Sequence, residues 1–298
     1  MPPNQINAAA AGTWTIGDVT VNRIGFGTKR LAGSGPFDMR DAGHRERAVA
    51  LLRRAVELGV NHIDTAEFYP TYADPERGAT AFTGLHCANE LVKLALAPYS
   101  DDLLIATKIG PTRAGLARPD QLRGLVEEDL RQLGRDRLDL VYLRQQGLNS
   151  IAEHFGALVE LRDAGLIRQL GLSNVRIELL QEALSIAPVV AVQNRYGVDF
   201  GRVNDELVRF CGEQGIAFVP FFSLAGEARE AGGVRPSDCV ADIARAHDVT
   251  PAQVRIAWTL SRGPHLLAIP GTSDPAHLAE NVAAGTLQLS PEELATLG

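Results

Sequence analysis

Asp64 and Tyr69 stand five residues apart in the stretch Gly-Val-Asn-His-Ile-Asp-Thr-Ala-Glu-Phe-Tyr, residues 59–69, with the acid just past a short apolar segment and the phenol beyond it. Lys108 closes a second apolar segment, Leu104-Ile105-Ala106-Thr107. Together these three types make a tuned general acid. A phenol has a pKa of about 10, and lowering it by two to three units takes roughly 3 to 4 kcal/mol. An ammonium about 4 Å away supplies roughly 4 kcal/mol at an effective dielectric of 20. A carboxylate beside the ammonium offsets part of its charge and holds it in place. Taken singly, each residue has a plainer explanation: a helix cap, a packed loop, a solvated strand end. The chemistry therefore requires a fold that brings segments distant in sequence to one place.

The pattern of the chain supplies such a fold. Residues 13–16 and 19–21 flank Gly17-Asp18, a two-residue hairpin signal, and are expected to form a lid over one end of the molecule. A first central strand, 23–28, is followed by a Gly-rich loop through Gly43. From there helix-forming and apolar strand-forming segments alternate. Helix 45–58, stopped by Gly59, leads to strand 60–63; helix 87–96 leads to strand 103–108; helix 119–133, with Pro119 in its first turn, leads to strand 139–144. Helix 150–164 precedes strand 169–173, helix 177–185 precedes strand 189–193, and helix 203–213 precedes strand 217–221. Helices 237–246 and 251–261 lead to the last strand, 266–269.

Eight apolar strands separated by helices are the number that closes a parallel barrel. The expected fold is therefore α/β, a (β/α)8 TIM barrel with an N-terminal β-hairpin lid and extra C-terminal helices. It would form one domain over residues 1–298, with residues 1–12 flexible. A dinucleotide-binding doubly wound sheet is disfavoured, because Gly25-Phe26-Gly27 is followed by Arg30 where that fingerprint needs a third glycine.

Composition narrows the partners. The 298 residues are 45% hydrophobic and 22% charged, with a formal charge of -7, which argues against nucleic acid or an anionic membrane surface. Three cysteines, Cys87, Cys211 and Cys239, are odd in number and widely spaced, so no disulfide framework and no metal site is indicated, and a reducing cytoplasm fits. Residues 1–13 lack the basic and apolar regions of a signal peptide, and no segment is long and apolar enough for a membrane span. Oligomeric state is left open, a monomer included.

In a barrel the C-terminal ends of the strands line one mouth. The expected ends carry Thr28, Asp64 with Tyr69, Lys108, Arg144, Ser173 with Asn174, Gln193 with Asn194, and Phe221. Ser173, Asn174 and Gln193 suit a carboxamide. Gly271-Thr272-Ser273, following the last strand and preceding a helix start, suits a phosphate. His62 and His154 read as structural, and the loops 30–43, 70–86, 145–149 and 225–235 are the expected walls of a substrate pocket. Within them Pro36-Phe37, Tyr72 and Phe82 either give that pocket an aromatic wall or serve only to fold the loops.

On these blocks the sequence resembles the aldo-keto reductases: residues 59–69, Ala-Thr-Lys-Ile-Gly at 106–110, Gly-Leu-Ser-Asn-Val at 171–175, Val-Gln-Asn-Arg-Tyr at 192–196, and Ile-Pro-Gly-Thr-Ser followed by Glu280-Asn281. The wording around them, Val21-Asn22-Arg23, Leu31-Ala32-Gly33, Tyr99-Ser100-Asp101-Asp102 and Val219-Pro220-Phe221-Phe222, is most similar to the bacterial pyridoxal-reductase branch. The resemblance implies an enzyme that reduces a small-molecule aldehyde or ketone with NADPH, NADH being the less favoured cofactor. Its catalytic set would be Asp64, Tyr69 as proton donor, Lys108 and Arg144, the last standing where most of the family has histidine. Its cofactor set would be Gly27, Thr28, Asp64, Ser173, Asn174, Gln193, Phe221, Phe222, Leu224, Gly226, Gly271, Thr272, Ser273, His277, Glu280 and Asn281. The family's Lys and Arg for the extra phosphate are replaced by Gly271 and His277. Alternatives are a reductase of a sugar or natural-product ketone and a non-catalytic NADPH-binding barrel with a sensing role.

Overall fold

A computed structural model describes residues 6–31, 42–68, 88–112, 114–200, 202–221, 224 and 238–298. The chain opens with a 3-10 turn, Ala8–Ala11, in which Ala8 is fully buried and its N–H donates to Leu58 O at 2.8 Å. Strands β1 (Thr13–Ile16) and β2 (Val19–Asn22) then pair antiparallel about Gly17, whose φ of +63° meets the positive-φ demand of a two-residue hairpin turn.

The central sheet is β3 (Phe26–Gly27), β4 (His62–Asp64), β5 (Leu104–Ile109), then, after a short hairpin of β6 (Pro111–Thr112) and β7 (Gly115–Leu116), β8 (Leu138–Arg144), β9 (Ile167–Ser173), β10 (Ala191–Gln193) and β11 (Ala217–Phe218). Its strands are parallel and adjacent in the order in which the chain makes them. Residues 266–268 close it: Leu266 bridges Phe218 on one side and Ala268 bridges Ile24 on the other. The closing bonds include Leu267 N–H to Phe218 O at 3.0 Å and Gly25 N–H to Ala268 O at 2.8 Å. Eight strand positions thus form a ring, as the alternation predicts.

Helices α1 (Ala42–Glu57), α2 (Ala88–Leu96), α3 (Leu122–Leu133), α4 (Ala152–Asp163), α5 (Ile177–Ile186), α6 (Asp205–Glu213), α7 (Asp238–Ala246) and α8 (Pro251–Ser261) follow the strands in turn, and α9 (Pro275–Ala283) and α10 (Pro291–Leu297) complete the C-terminus. Most ends agree with the sequence reading to within a few residues. Residues 119–121 and 202–204 take the tighter 3-10 form ahead of α3 and α6. Regular pairing in the first and last strands is shorter than expected: the ladder of the first covers residues 26–27, and isolated bridges at 24, 266 and 268 make the rest of the seam.

Two apolar clusters result. One lies between the strands and the surrounding helices; the other fills the barrel with Leu104, Ala106, Leu140, Tyr142, Ala191, Ala217, Val219 and Leu267. Ile16, Val19 and Val21 of the hairpin belong to the inner cluster, so β1 and β2 seal the end at which the strands begin. Asn61 ties the hairpin on, accepting from Asn22 N–H at 2.8 Å and donating to Thr20 O at 3.1 Å. With one end sealed, any pocket in the barrel opens at the other. Among the described residues no helix is long and apolar enough to cross a membrane.

Candidate active site

Side chains alternate along a strand, so the residues two beyond the inner cluster still face the barrel axis. Lys108 follows Ala106, Arg144 follows Tyr142, and Gln193 follows Ala191 in this way, all at strand ends. Asp64, the last residue of β4, completes the group. Lys108 Nζ donates to Asp64 Oδ1 at 2.6 Å and to Thr65 O at 2.8 Å. The second oxygen of Asp64 accepts from Gln193 Nε2, and the Asp64 carbonyl accepts both the amide and the hydroxyl of Thr28, at 2.9 and 3.0 Å. Thr28, Asp64, Lys108, Ser173 and Gln193 are all buried. Each Asp64 oxygen thus has a donor. The buried charge is matched, as a buried ion must be if it is to stay ionised.

Of the catalytic residues expected from sequence, the fold joins Asp64 and Lys108 directly. Tyr69 lies outside the described residues, but the segment leading to it does not. Thr65 N–H donates to Ala106 O at 2.8 Å and Glu67 N–H to Lys108 O at 3.1 Å, so residues 65–68 run beside the end of β5. Phe68, the residue before Tyr69, has the Arg144 guanidinium 5.4 Å from its ring centroid. Arg144 is partly exposed and pairs in register with Ser173.

The expected cofactor residues divide. Ser173 and Gln193 are register partners on adjoining strands, and the Gln193 Oε1 atom is buried without a hydrogen-bond partner. Asn174 is exposed and left-handed, with φ of 62°. Gly27 and Gly271 sit where two strand ends nearly touch: a Cβ on Gly271 would lie 2.5 Å from Gly27 O, and one on Gly27 2.7 Å from Ile269 O. Phe221 bridges Arg195, and Leu224 packs on the outer core. Thr272 is buried and its hydroxyl accepts from Asp274 N–H at 3.0 Å. Helix α9 starts after Ser273 as expected, and it presents His277 exposed, Glu280 partly exposed and Asn281 buried. Phe222, Gly226 and the aromatic candidates Phe37, Tyr72 and Phe82 lie outside the described residues.

Several residues escaped the sequence reading. Asp274 caps α9 by accepting from Ala276 N–H at 2.7 Å, placing a carboxylate where a phosphate was expected to meet free amides. Tyr142 is fully buried below Arg144 with its hydroxyl close to the Gln193 side chain, and burial, with Asp64 nearby, pushes its pKa well up against the opposing influence of Gln193. Its position two residues before Arg144 was the available signal. His62, which was expected to be structural, is buried with both ring nitrogens unpartnered, and burial lowers its pKa to about 4. Behind the strands, Asp129 accepts from Thr107 Oγ1 at 2.8 Å and from Asn89, and Asn89 also joins Thr65 and Gln132. Asp129 shares the helical stripe of Leu122, Val126 and Leu133, where an acid among apolar residues marks a buried polar network. Burial, with Glu128 nearby, raises the Glu67 pKa to about 7.

Comparison with known proteins bears on this arrangement. The family model described as aldo/keto reductase family matches residues 23–298. Pyridoxine 4-dehydrogenase of Escherichia coli (strain K12) is 41% identical over 97% of this chain and 98% of its own length. An aldo/keto reductase from Klebsiella pneumoniae, solved in complex with NADP and acetate, is 30% identical, with a TM-score of 0.76 over 96% of this chain and 93% of that one. The thermostable aldo-keto reductase Tm1743, solved with the inhibitor epalrestat, is also 30% identical, with a TM-score of 0.77 over 96% and 98% of the two chains.

Proposed function

The chain belongs to the aldo/keto reductase family, and from that premise we propose that it uses NADPH to reduce a small-molecule carbonyl to an alcohol, with Tyr69 as the proton donor. The observation that carries this reading is the buried Lys108–Asp64 pair at the open end of the barrel, with Gln193 on its other side. The residues present fit the cofactor. Gln193 Oε1 is a buried acceptor awaiting a donor, and the amide of a nicotinamide is such a donor; Ser173 stands next to it with a hydroxyl. Thr272 and Ser273, beyond the close approach of Gly27 and Gly271, would hold phosphate oxygens by their hydroxyls, because Asp274 already accepts from the Ala276 amide in the first turn of α9.

When bound, a dihydronicotinamide supplies a hydride to the carbonyl carbon. The chain's task is the oxygen, which gains negative charge and needs a proton. Lys108 lends positive charge beside the segment that carries Tyr69 and so makes the phenol a better acid. Asp64 moderates that charge, since a phenol driven fully to phenolate has no proton to give. Arg144 cannot serve as the acid, because a guanidinium keeps its proton; it donates hydrogen bonds to the oxygen as charge develops there. A planar aldehyde such as pyridoxal is the substrate favoured by the resemblance, and the cytoplasm is the compartment favoured by the free thiols of Cys211 and Cys239.

Tyr69→Phe tests the assignment. Reduction of pyridoxal, followed by NADPH consumption, should fall by about 10²- to 10⁴-fold, while NADPH binding measured by fluorescence stays within about twofold. Near-normal turnover would refute it. Michaelis constants for NADPH and NADH decide the cofactor, and a clear preference for NADH would overturn the choice. A panel including sugar and natural-product ketones decides the substrate class.

A further inference from the structure

Arg144 differs from the other charged groups of the mouth in what surrounds it. Lys108 and Asp64 cancel each other's charge at 2.6 Å. Among the described residues no carboxylate pairs with Arg144, whose one recorded contact is the face of Phe68. A guanidinium is a permanent cation, so among the described residues Arg144 is a positive charge at the mouth without an ion-pair partner. Its position is fixed by backbone as well. Gly110, at φ of +122°, lets the end of β5 pass close to β8, where a Cβ would lie 2.7 Å from Arg144 O. Tyr142, two residues earlier on the same face, is fully buried and anchors the strand. The stack on Phe68 then lays the guanidinium beside the residue that precedes Tyr69. Stacking on an aromatic face leaves the edge of the fork, with its N–H groups, free to point elsewhere.

We propose that Arg144, braced by Phe68, selects carbonyl substrates that carry an anionic oxygen on the carbon adjacent to the one bearing the carbonyl, as a 2-hydroxyaryl aldehyde does when its hydroxyl ionises. The fork grips both oxygens at once, the carbonyl oxygen with one N–H and the ring oxygen with another, in the bidentate geometry guanidinium makes with paired oxygens. The ring oxygen neutralises the Arg144 charge. An imidazole at this position would offer a single donor and could not hold the pair. Pyridoxal is one aldehyde of this class. In this scheme Phe68 is a positioning residue, acting through Arg144.

The inference rests on the reductase reading, and the test separates the two. For the wild-type protein, kcat/KM with NADPH should favour 2-hydroxybenzaldehyde over 2-methoxybenzaldehyde by about tenfold or more. Arg144→Gln should lower both values and bring their ratio to within about twofold of one. Arg144→Lys, which keeps the charge and loses the fork, should give an intermediate ratio. Phe68→Leu should lower the ratio chiefly through KM for the hydroxy aldehyde. A wild-type ratio near one, or an undiminished ratio in Arg144→Gln, would overturn the proposal. Calorimetric binding of 2-hydroxybenzoate in the presence of NADP needs no turnover, and should weaken by about tenfold in Arg144→Gln. If neither aldehyde is reduced while that weakening is seen, the reductase reading fails and the anion site stands; equal binding to both proteins rejects the anion site whatever the turnover.

Discussion

Lys108 Nζ and Asp64 Oδ1 meet at 2.6 Å with 5% and 2% of their side chains exposed, a buried ion pair. Removing one partner from such a pair leaves a buried charge without compensation. Asp64→Asn is therefore expected to destabilise the fold by about 3–5 kcal/mol. The urea midpoint measures it, and an unchanged midpoint would mean that water reaches Lys108.

His62 and Glu67 should give opposite pH dependences to stability. Burial lowers the pKa of His62 from its ordinary 6.5 to about 4, with Asp64 opposing and Lys108 assisting. The unfolded chain then binds the extra proton between those values, so this contribution is complete above pH 6.5 and lost as pH falls toward 4. Burial, and then the nearby Glu128, raises the pKa of Glu67 from 4.5 to about 7. Here the folded chain binds the extra proton, and the contribution is lost as pH rises from 4.5 to 7. Each is worth roughly 3.4 kcal/mol at most, at about 1.36 kcal/mol per pH unit. Relative to His62→Leu, the wild type should gain stability from pH 4 to 6.5; relative to Glu67→Gln, it should lose stability from pH 4.5 to 7. Asp129, raised chiefly by burial, cancels in the His62 difference; the Glu67 carboxylate raises it further, so in the Glu67 difference its change adds with the same sign. Urea titrations at half-unit steps of pH check both signs.

The meeting of Gly27 and Gly271 leaves no room for a methyl group, and the atoms in the way are backbone. Gly271→Ala should cost about 1–3 kcal/mol, because the strands at the closing seam must separate. It should also weaken NADPH binding, as Thr272 and Ser273 follow directly. A thermal melt and a binding titration together test this; wild-type values in both would show that the seam has slack.

Asn174 holds φ of 62° while its N–H donates to Gln193 O at 2.8 Å. Asn174→Gly should be tolerated in stability, whereas Asn174→Val should cost about 1–3 kcal/mol, because a β-branched residue resists the left-handed region. Equal melting temperatures for the two variants would contradict the assigned backbone.

The alternation of apolar and helical segments conveyed the barrel, and Gly17, Gly59 and Pro119 conveyed local turns and ends, because hydrophobic period and φ preference are properties of short windows of sequence. Strand ends were read well enough to nominate Asp64, Lys108, Ser173 and Gln193 before any geometry. The short pairing of β3 and of residues 266–268 was not readable, since it depends on how the ring closes. Nor was the cap at Asp274 anticipated, although an acid immediately before a proline was in view. His62 was read as structural and Tyr142 was not singled out at all, because a strand's sequence does not say that the ring nitrogens of a buried histidine will lack partners or that a tyrosine will lie beneath the site.

By itself, the order of residues determined which side chains could reach one mouth and which turns would punctuate the ring. Tertiary structure alone decided that Lys108 and Gln193, 44 and 129 residues from Asp64, take its two oxygens, and that Arg144 faces Phe68 rather than a carboxylate. The reason is that contacts across such separations are set by the stagger of closed strands, a quantity that no local pattern encodes.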